Sequence, residues 1–184
     1  ALARDIEANA VEKLPLTFVF NRPDGVEDRR MVSDGAALGG HAVDLAEASY
    51  QGLVIGHVDD PFSAGADLKA ILPAFQAHGV DAVEPIEREM QDMVLRLRYA
   101  QVPVVAALAG MALGGGCELA VHCARRVAHF ETYIGLVEVG IGLVPGAGGL
   151  TFGARRAAQL RAETAPDAPL LAFLKRFALA AAGG

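Results

Sequence analysis

Residues 102–124 constrain the fold of this chain more than any other stretch, because three patterns follow one another there. The apolar, β-branched run of residues 102–109 has the length of a strand, and glycines follow it at positions 110 and 114–116. The residues after those glycines contain no helix breaker, so the order predicts a strand, a glycine-rich turn and a helix. The N–H groups that begin such a helix have no backbone partner, and with the helix dipole they favour negative charge. We therefore expect an oxyanion to bind at this turn.

The same order occurs earlier in the chain. Residues 52–58 have the pattern of a buried strand, and they lead into the glycine-containing loop of residues 59–67. Between the two units, residues 81–100 carry apolar side chains at helical spacing, which predicts a helix that ends before Pro103. The apolar positions are Val83, Ile86, Met90, Val94 and Leu97. Strands that alternate with helices in this way indicate an α/β fold.

The N-terminal third carries weaker patterns. Residues 16–20 predict an early strand, which ends at the turn-rich residues 21–25. The polar stretch from there to about Gly40 has no clear periodicity, and residues 41–49 predict a short helix.

The C-terminal end differs in composition from the rest. Residues 162–169 have the composition of a linker, and residues 170–182 predict a final helix. We therefore divide the chain into a core at residues 1–158 and a linker with a partial helical region at residues 159–184.

Composition excludes several classes of protein. The chain has 184 residues, of which 53% are hydrophobic, which suits one globular domain with a large core. No apolar run reaches the ~18 residues of a membrane span, and the N-terminus is too charged for a signal sequence, so we expect a soluble, cytoplasmic protein. The formal net charge is −6 and the basic residues are scattered without aromatic neighbours, which argues against nucleic-acid binding.

The cysteines and histidines do not form a metal-binding pattern. Cys117 and Cys123 are the only cysteines, and on a helix they project about 120° apart, which suits neither a disulfide nor a shared metal ion. We interpret the histidines as structural: His41, His57, His78, His122 and His129. We accordingly expect no metal and no other cofactor.

The two glycine loops are the first candidate site. Residues 63–67 and 114–118 each follow a buried strand, and two N–H groups directed at one point can stabilise an enolate or oxyanion. Taken singly, each loop is better explained as a tight turn. Neither has the spacing of a Walker loop or the full dinucleotide-binding pattern.

Two glutamates are the second candidate site. Glu118 lies in the first turn of the predicted helix, where interaction with the helix dipole alone would explain it. Glu138 lies in an apolar segment, where an unpaired carboxylate is costly unless it has a partner or a function. A structural ion pair is the alternative for both residues.

These residues resemble the crotonase, or enoyl-CoA hydratase/isomerase, family. The resemblance covers roughly residues 16–158, and it rests on residues 62–68, on residues 103–120, and on Glu138 with residues 142–149. It implies a spiral of ββα units, which here lacks or truncates the C-terminal helices that cover the acyl pocket and build a trimer. Residues 131–140 are similar to the hydratase part of fused 3-hydroxyacyl-CoA dehydrogenases.

The resemblance also implies roles for particular residues. The N–H groups of Ala66 and Gly115 would hold the thioester oxygen, while Glu118 and Glu138 would handle water and proton. The implied substrate-binding residues are Gly65, Asp67, Gly114, Gly146, Arg22 and Lys69, with Gly146 placing water and the two cations near the CoA phosphates. Residues 24–30 depart from the family pattern, which puts the pocket for the CoA adenine end in doubt.

The expected function is hydration of trans-2-enoyl-CoA by a homotrimer or hexamer, with acyl-CoA as the substrate and no cofactor. Glu118 is expected to deprotonate water and Glu138 to protonate the α carbon, although the roles are reversible or shared in a coupled pair. Gly115→Pro, which removes an N–H donor, should be far more damaging than Gly114→Ala, which keeps it. The alternatives are an enoyl-CoA isomerase, another crotonase-type reaction such as thioester hydrolysis, and a non-catalytic acyl-CoA-binding or assembly module.

Overall fold

The computed structural model describes residues 16–21, 27–32, 35–57 and 61–163. This part of the chain contains strands β1 (Leu16–Asn21), β2 (Glu27–Val32), β3 (Gly52–Gly56), β4 (Val104–Leu108), β5 (Met111–Leu113), β6 (Arg125–Ala128) and β7 (Tyr133–Gly135). Its helices are α1 (Gly35–Ser49), α2 (Leu68–His78), α3 (Val80–Arg98), α4 (Gly115–His122) and α5 (Gly149–Glu163), with a 3₁₀ turn at Glu138–Ile141.

The main sheet has the strand order β2-β1-β3-β4-β6. β1 is antiparallel to both of its neighbours, whereas β3, β4 and β6 run parallel. Leu53 pairs with Val104 across β3 and β4, and Leu108 pairs with Ala128 across β4 and β6. Because parallel strands need crossover connections, the helices α2, α3 and α4 lie between them in the sequence, as the alternating pattern predicted.

The core lies between this sheet and the helices α1 and α3. Alternate residues of β4 are buried, as are Leu53 and Ile55 of β3, and helix residues such as Val43 and Val94 pack against them. The alternation matches the period of two that side chains have along a strand. This packing holds the carboxyl ends of β3 and β4 in place. The first glycine loop follows β3, and the second follows β4 after the short strand β5.

A short second sheet adds to the predicted strand, turn and helix at residues 102–124. β5 pairs in parallel with β7, and it stands between β4 and α4 where the sequence predicted only a glycine turn. A strand of three residues is too short to produce a recognisable period, so only its partners reveal it.

The structure corrects the interpretation of the stretch before Gly40. That stretch contains β2 and the beginning of α1, which starts at Gly35 rather than at residue 41. β2 pairs only with β1 and ends the sheet, and an edge strand tolerates charged residues that hide the alternating pattern. The glycines of α1 are poor helix formers, which explains why the sequence pattern did not predict its first turns.

Other elements follow the sequence closely. The strand predicted at residues 16–20 is β1, the segment 52–58 contains β3, and the helix predicted at residues 81–100 is α3. The predicted helix at residues 170–182 and most of the turn at residues 21–25 lie outside the described residues. The division proposed at residue 158 falls within α5, and it stays a prediction.

Candidate active site

The two glycine loops lie side by side, because the residues before them pair. Ser63 forms a parallel bridge with Ala112, and its N–H and carbonyl oxygen bond to Met111 O and Leu113 N, each at 2.9 Å. Ala66 and Gly115 each stand three residues beyond a bridge partner. The pairing therefore brings the two predicted donors onto adjacent chain segments that leave the bridge in the same direction.

The backbone at these loops leaves both N–H groups available. We find no acceptor for the N–H of Ala66 or of Gly115 among the described residues. Gly65 has φ +96°, and a Cβ there would lie 3.1 Å from the Leu113 oxygen and 3.8 Å from the Gly115 nitrogen. Only glycine allows this conformation and this close approach. The arrangement is a pair of unpaired donors of the kind that stabilises an oxyanion.

Glu118 lies in the first turn of α4 and is almost completely buried, with 2% exposure. Its Oε1 accepts a hydrogen bond of 2.8 Å from the N–H of Gly149, where α5 begins. Burial raises the pKa of Glu118, while backbone donors of Gly149 and Ala147 act in the opposite direction. The glycine-rich turn at residues 145–149 thus supplies donors that favour an ionised Glu118.

Glu138 begins the 3₁₀ turn, and its side chain approaches the other glycine loop. Its Oε1 lies 2.9 Å from the position that a Cβ on Gly114 would occupy, and its Oε2 is buried without a hydrogen-bond partner. Burial raises the pKa of Glu138 to about 6, backbone donors of Glu138 and Val137 act in the opposite direction, and the charges of Glu118 and Glu87 add to the rise. A buried carboxyl oxygen without a donor favours the protonated form.

Sequence reasoning missed a third carboxylate, Glu87 of α3. Its side chain is half-buried and approaches Gly146 so closely that a Cβ there would overlap it. One turn further along α3, the Gln91 side chain donates a hydrogen bond of 2.7 Å to the Gly146 carbonyl. Glu87, Glu118 and Glu138 are referred to below as the carboxylate cluster. The signal for Glu87 was its place on the apolar face of α3, four residues after Val83 and three before Met90.

The remaining predicted residues have different surroundings. Asp67 caps α2, since its Oδ1 accepts a hydrogen bond of 3.1 Å from the N–H of Lys69. The residue Lys69 is exposed in the first turn of that helix. Gly114 precedes α4 with φ +51°. Arg22 lies outside the described residues.

His122 and Cys117 are buried residues of α4, the helix that also carries Glu118. The His122 Nδ1 lies 2.7 Å from the Glu118 carbonyl oxygen, its ring packs against Phe152, and burial lowers its pKa. Burial raises the pKa of the Cys117 thiol to about 12, and both cysteines are free. Within the described residues, no group of three His, Cys, Asp or Glu side chains is placed to hold a metal ion. None of the described helices combines the length and apolar character of a membrane span.

Comparison with known proteins places this geometry in a family. The sequence model described as enoyl-CoA hydratase/isomerase matches residues 42–166, which include both loops and the carboxylate cluster. The chain belongs to this family. Its fold is therefore the crotonase fold, of which the chain covers only part.

Individual relatives agree with this assignment. The chain is 45% identical over 103 residues to a probable 3-hydroxyacyl-CoA dehydrogenase of Bacillus subtilis, which is 56% of this chain and 13% of that protein. It is 41% identical over 105 residues to the peroxisomal bifunctional enzyme of Cavia porcellus, covering 57% of this chain and 14% of that protein. The crystal structure of an enoyl-CoA hydratase from Thermoplasma volcanium superposes with a TM-score of 0.58 at 30% identity, covering 65% of this chain and 47% of that one. The chain thus spans about one seventh of these curated relatives and less than half of that solved structure.

Proposed function

We propose that this enoyl-CoA hydratase/isomerase family member adds water to trans-2-enoyl-CoA to give 3-hydroxyacyl-CoA. The observation that supports hydration is the contrast between two carboxylates beside one pair of free N–H groups. The Oε1 of Glu118 accepts a hydrogen bond from the N–H of Gly149, whereas the Oε2 of Glu138 is buried without a donor. Burial raises the pKa of both glutamates, to about 6 for Glu138, and a raised pKa suits Glu138 to the role of the acid while the backbone donors at Glu118 suit it to the role of the base.

The donors of Ala66 and Gly115 would hold the thioester carbonyl oxygen. Negative charge builds on that oxygen as the β carbon is attacked, so donors already fixed in place lower the barrier. Removal of one such donor costs about 3 kcal/mol in other enzymes. Gly65 precedes the Ala66 donor and Gly114 precedes the Gly115 donor, and both have a positive φ that other residues rarely adopt.

The glutamates would move two protons in opposite directions. Glu118 takes a proton from water as the oxygen bonds to the β carbon, and Glu138 gives a proton to the α carbon. After one turnover Glu118 is protonated and Glu138 is ionised, so a proton must pass between them before the next. Ionisation of one glutamate makes ionisation of the other more costly, and this coupling favours a single proton shared by the pair.

The test measures hydration of a short trans-2-enoyl-CoA by the purified protein and by Glu118→Gln, Glu138→Gln and the double variant. Each single change should lower kcat by at least about 100-fold, and the double variant should lose much less than the product of the two. Glu89→Gln, an exposed change on α3, is the matched control. Rates within a few-fold of the parent in both single variants would show that the glutamates are structural.

The same variants separate hydration from isomerisation. An isomerase that shifts a 3-enoyl double bond needs one group to carry the proton, so Glu118→Gln would be nearly silent and Glu138→Gln would abolish the reaction. Binding of acyl-CoA without turnover by the parent would instead favour a non-catalytic module. Thioester hydrolysis is detected in the same assay by measuring the free CoA that it releases.

We further propose how this domain is joined to other domains and how it assembles. The curated relatives are much longer proteins whose names include dehydrogenase and bifunctional enzyme, which supports a chain fused to a dehydrogenase domain. We also propose a cytoplasmic homotrimer or hexamer that works without a cofactor, with Lys69 and Arg22 near the CoA phosphates. Mass measurement of the native protein and activity after exhaustive chelation test the assembly and the cofactor separately.

A further inference from the structure

Glu87 occupies a position where the helical period of α3 predicts an apolar side chain. The buried face of α3 carries Met93, Val94 and Leu97, and the spacing places Glu87 on the same face, two turns before Val94. A half-buried carboxylate costs free energy unless a partner compensates it. Among the described residues we find no hydrogen bond or ion pair to Glu87. Its neighbours Glu84 and Arg88 pair with each other at 2.6 Å on the exposed side.

Three contacts with glycines locate Glu87 in the candidate site. Its carboxylate lies against Gly146, and the Glu118 carboxylate accepts a hydrogen bond from Gly149, three residues further along. Three residues span at most about 11 Å. The Glu138 carboxylate lies against Gly114, which precedes Glu118 by one helical turn, or about 6 Å of helix rise. Met90, one turn after Glu87 on α3, lies 3.4 Å from the position of a Cβ on Gly115, so α3 reaches both ends of the site where the three carboxylates lie.

Among the described residues, no cation contributes to the pKa of Glu118 or Glu138. From α4 come Cys117, a neutral thiol, and His122, whose pKa is lowered by burial. Arg98 of α3 and Arg155 of α5 line one pocket with His122 and Gly146, where they contact the Phe152 ring and the Tyr99 hydroxyl respectively and help to lower the pKa of His122. Burial raises the pKa of Glu87 as well, and the charges that act on the pKa of Glu118 and Glu138 are those of other carboxylates.

We propose that Glu87 is a positioning residue whose negative charge keeps the proton on Glu138 until it is delivered to the α carbon. This inference rests on the proposed function, in which Glu138 is the acid. The charge of Glu87 raises the pKa of both Glu118 and Glu138, in addition to the larger effect of burial on each. Loss of that charge lowers the pKa of Glu138, so a smaller fraction of Glu138 holds its proton above pH 6.

The experiment compares pH profiles of kcat for the parent, Glu87→Gln and the control Glu89→Gln on a short trans-2-enoyl-CoA. Glu87→Gln should move the basic limb to lower pH, with kcat about threefold lower at pH 8, little change at pH 5.5 and an unchanged KM. Glu87→Asp, which keeps the charge, should restore the parent profile in large part. A profile that superposes on the parent, or one lowered equally at every pH, would overturn the proposal.

A measurement that does not depend on turnover separates this inference from the proposed function. Carboxyl carbon NMR of glutamate-labelled protein follows the titration of the cluster, and Glu138→Gln identifies the resonance of Glu138. In Glu87→Gln the Glu138 midpoint should move to lower pH, whereas in Glu89→Gln it should stay in place. An unmoved midpoint in Glu87→Gln overturns the role of Glu87 whatever the activity. A lowered midpoint in a protein that does not hydrate enoyl-CoA supports the role of its charge and refutes only the hydratase assignment.

Discussion

Substitution of Gly114 by alanine tests the placement of Glu138 most directly. The residue precedes α4 with φ +51° and ψ −122°, a region that alanine adopts only at a cost of about 1–3 kcal/mol. The new Cβ would also lie 2.9 Å from the Glu138 Oε1, which is closer than ordinary packing allows. Overpacking of this kind costs a further ~1–3 kcal/mol unless the carboxylate moves.

Gly79 provides a matched control for the backbone cost. It precedes α3 with φ +68° and ψ −148°, and a Cβ there would meet no atom within 4 Å. Gly79→Ala should therefore carry only the conformational cost, while Gly114→Ala carries the conformational cost and the collision. The difference between the two destabilisations reports on the Glu138 carboxylate alone.

Urea unfolding of the two variants measures the free energy of unfolding, and the hydration assay measures kcat. We expect Gly114→Ala to be at least about 1 kcal/mol less stable than Gly79→Ala, or equally stable with kcat lowered at least tenfold because Glu138 has moved. Equal stability and equal kcat in both variants would show that Glu138 does not contact Gly114. From the sequence alone Gly114→Ala is a mild change, because it keeps the N–H donor.

Three further predictions concern other parts of the structure. The Cys117 thiol, with its pKa raised to about 12, should resist alkylation at pH 8 in the folded protein and react readily in urea. The hydrogen bond from Arg96 lowers the pKa of Glu47 to about 2, so its contribution to stability is present above pH 4.5 and lost as pH falls towards 2. Glu47→Gln should make the denaturation midpoint depend less on pH over that interval. Gly146→Ala should lower Tm in the parent but much less in a Glu87→Ala background. An equal fall in Tm in both backgrounds would show that Glu87 does not contact Gly146.

The fold was predictable from the sequence where an apolar run of strand length or a helical period of 3.6 extends over enough residues. The strands β3 and β4 have such runs and the helix α3 has such a period, and the structure confirms all three. The edge strand β2 and the short strand β5 lack them, since their positions depend on pairing with distant residues. Pairing of this kind leaves no local pattern in a sequence.

The site was predictable only in part, for a related reason. The neighbouring glycine loops identified the region of Glu118 and Glu138, and the free N–H groups followed from the chemistry of a helix start. The contrast between the two carboxylates depends on which one meets the N–H of Gly149, and that contact joins residues 31 positions apart. Glu87 was interpreted as part of an ordinary helix, because one charged residue does not abolish a strong apolar period.

The glycines and the carboxylate cluster show a common principle of construction. A Cβ on Gly114 would stand 2.9 Å from Glu138, one on Gly149 would stand 3.0 Å from Glu118, and one on Gly146 would overlap Glu87. Each carboxylate thus fills the space that an absent side chain leaves open. Close approach to backbone brings a carboxylate within reach of N–H donors, as at Gly149, or holds it away from water, as at Gly114. The glycine-rich turns therefore do more than allow tight bends, because their missing side chains determine where the three carboxyl groups lie and what surrounds each of them.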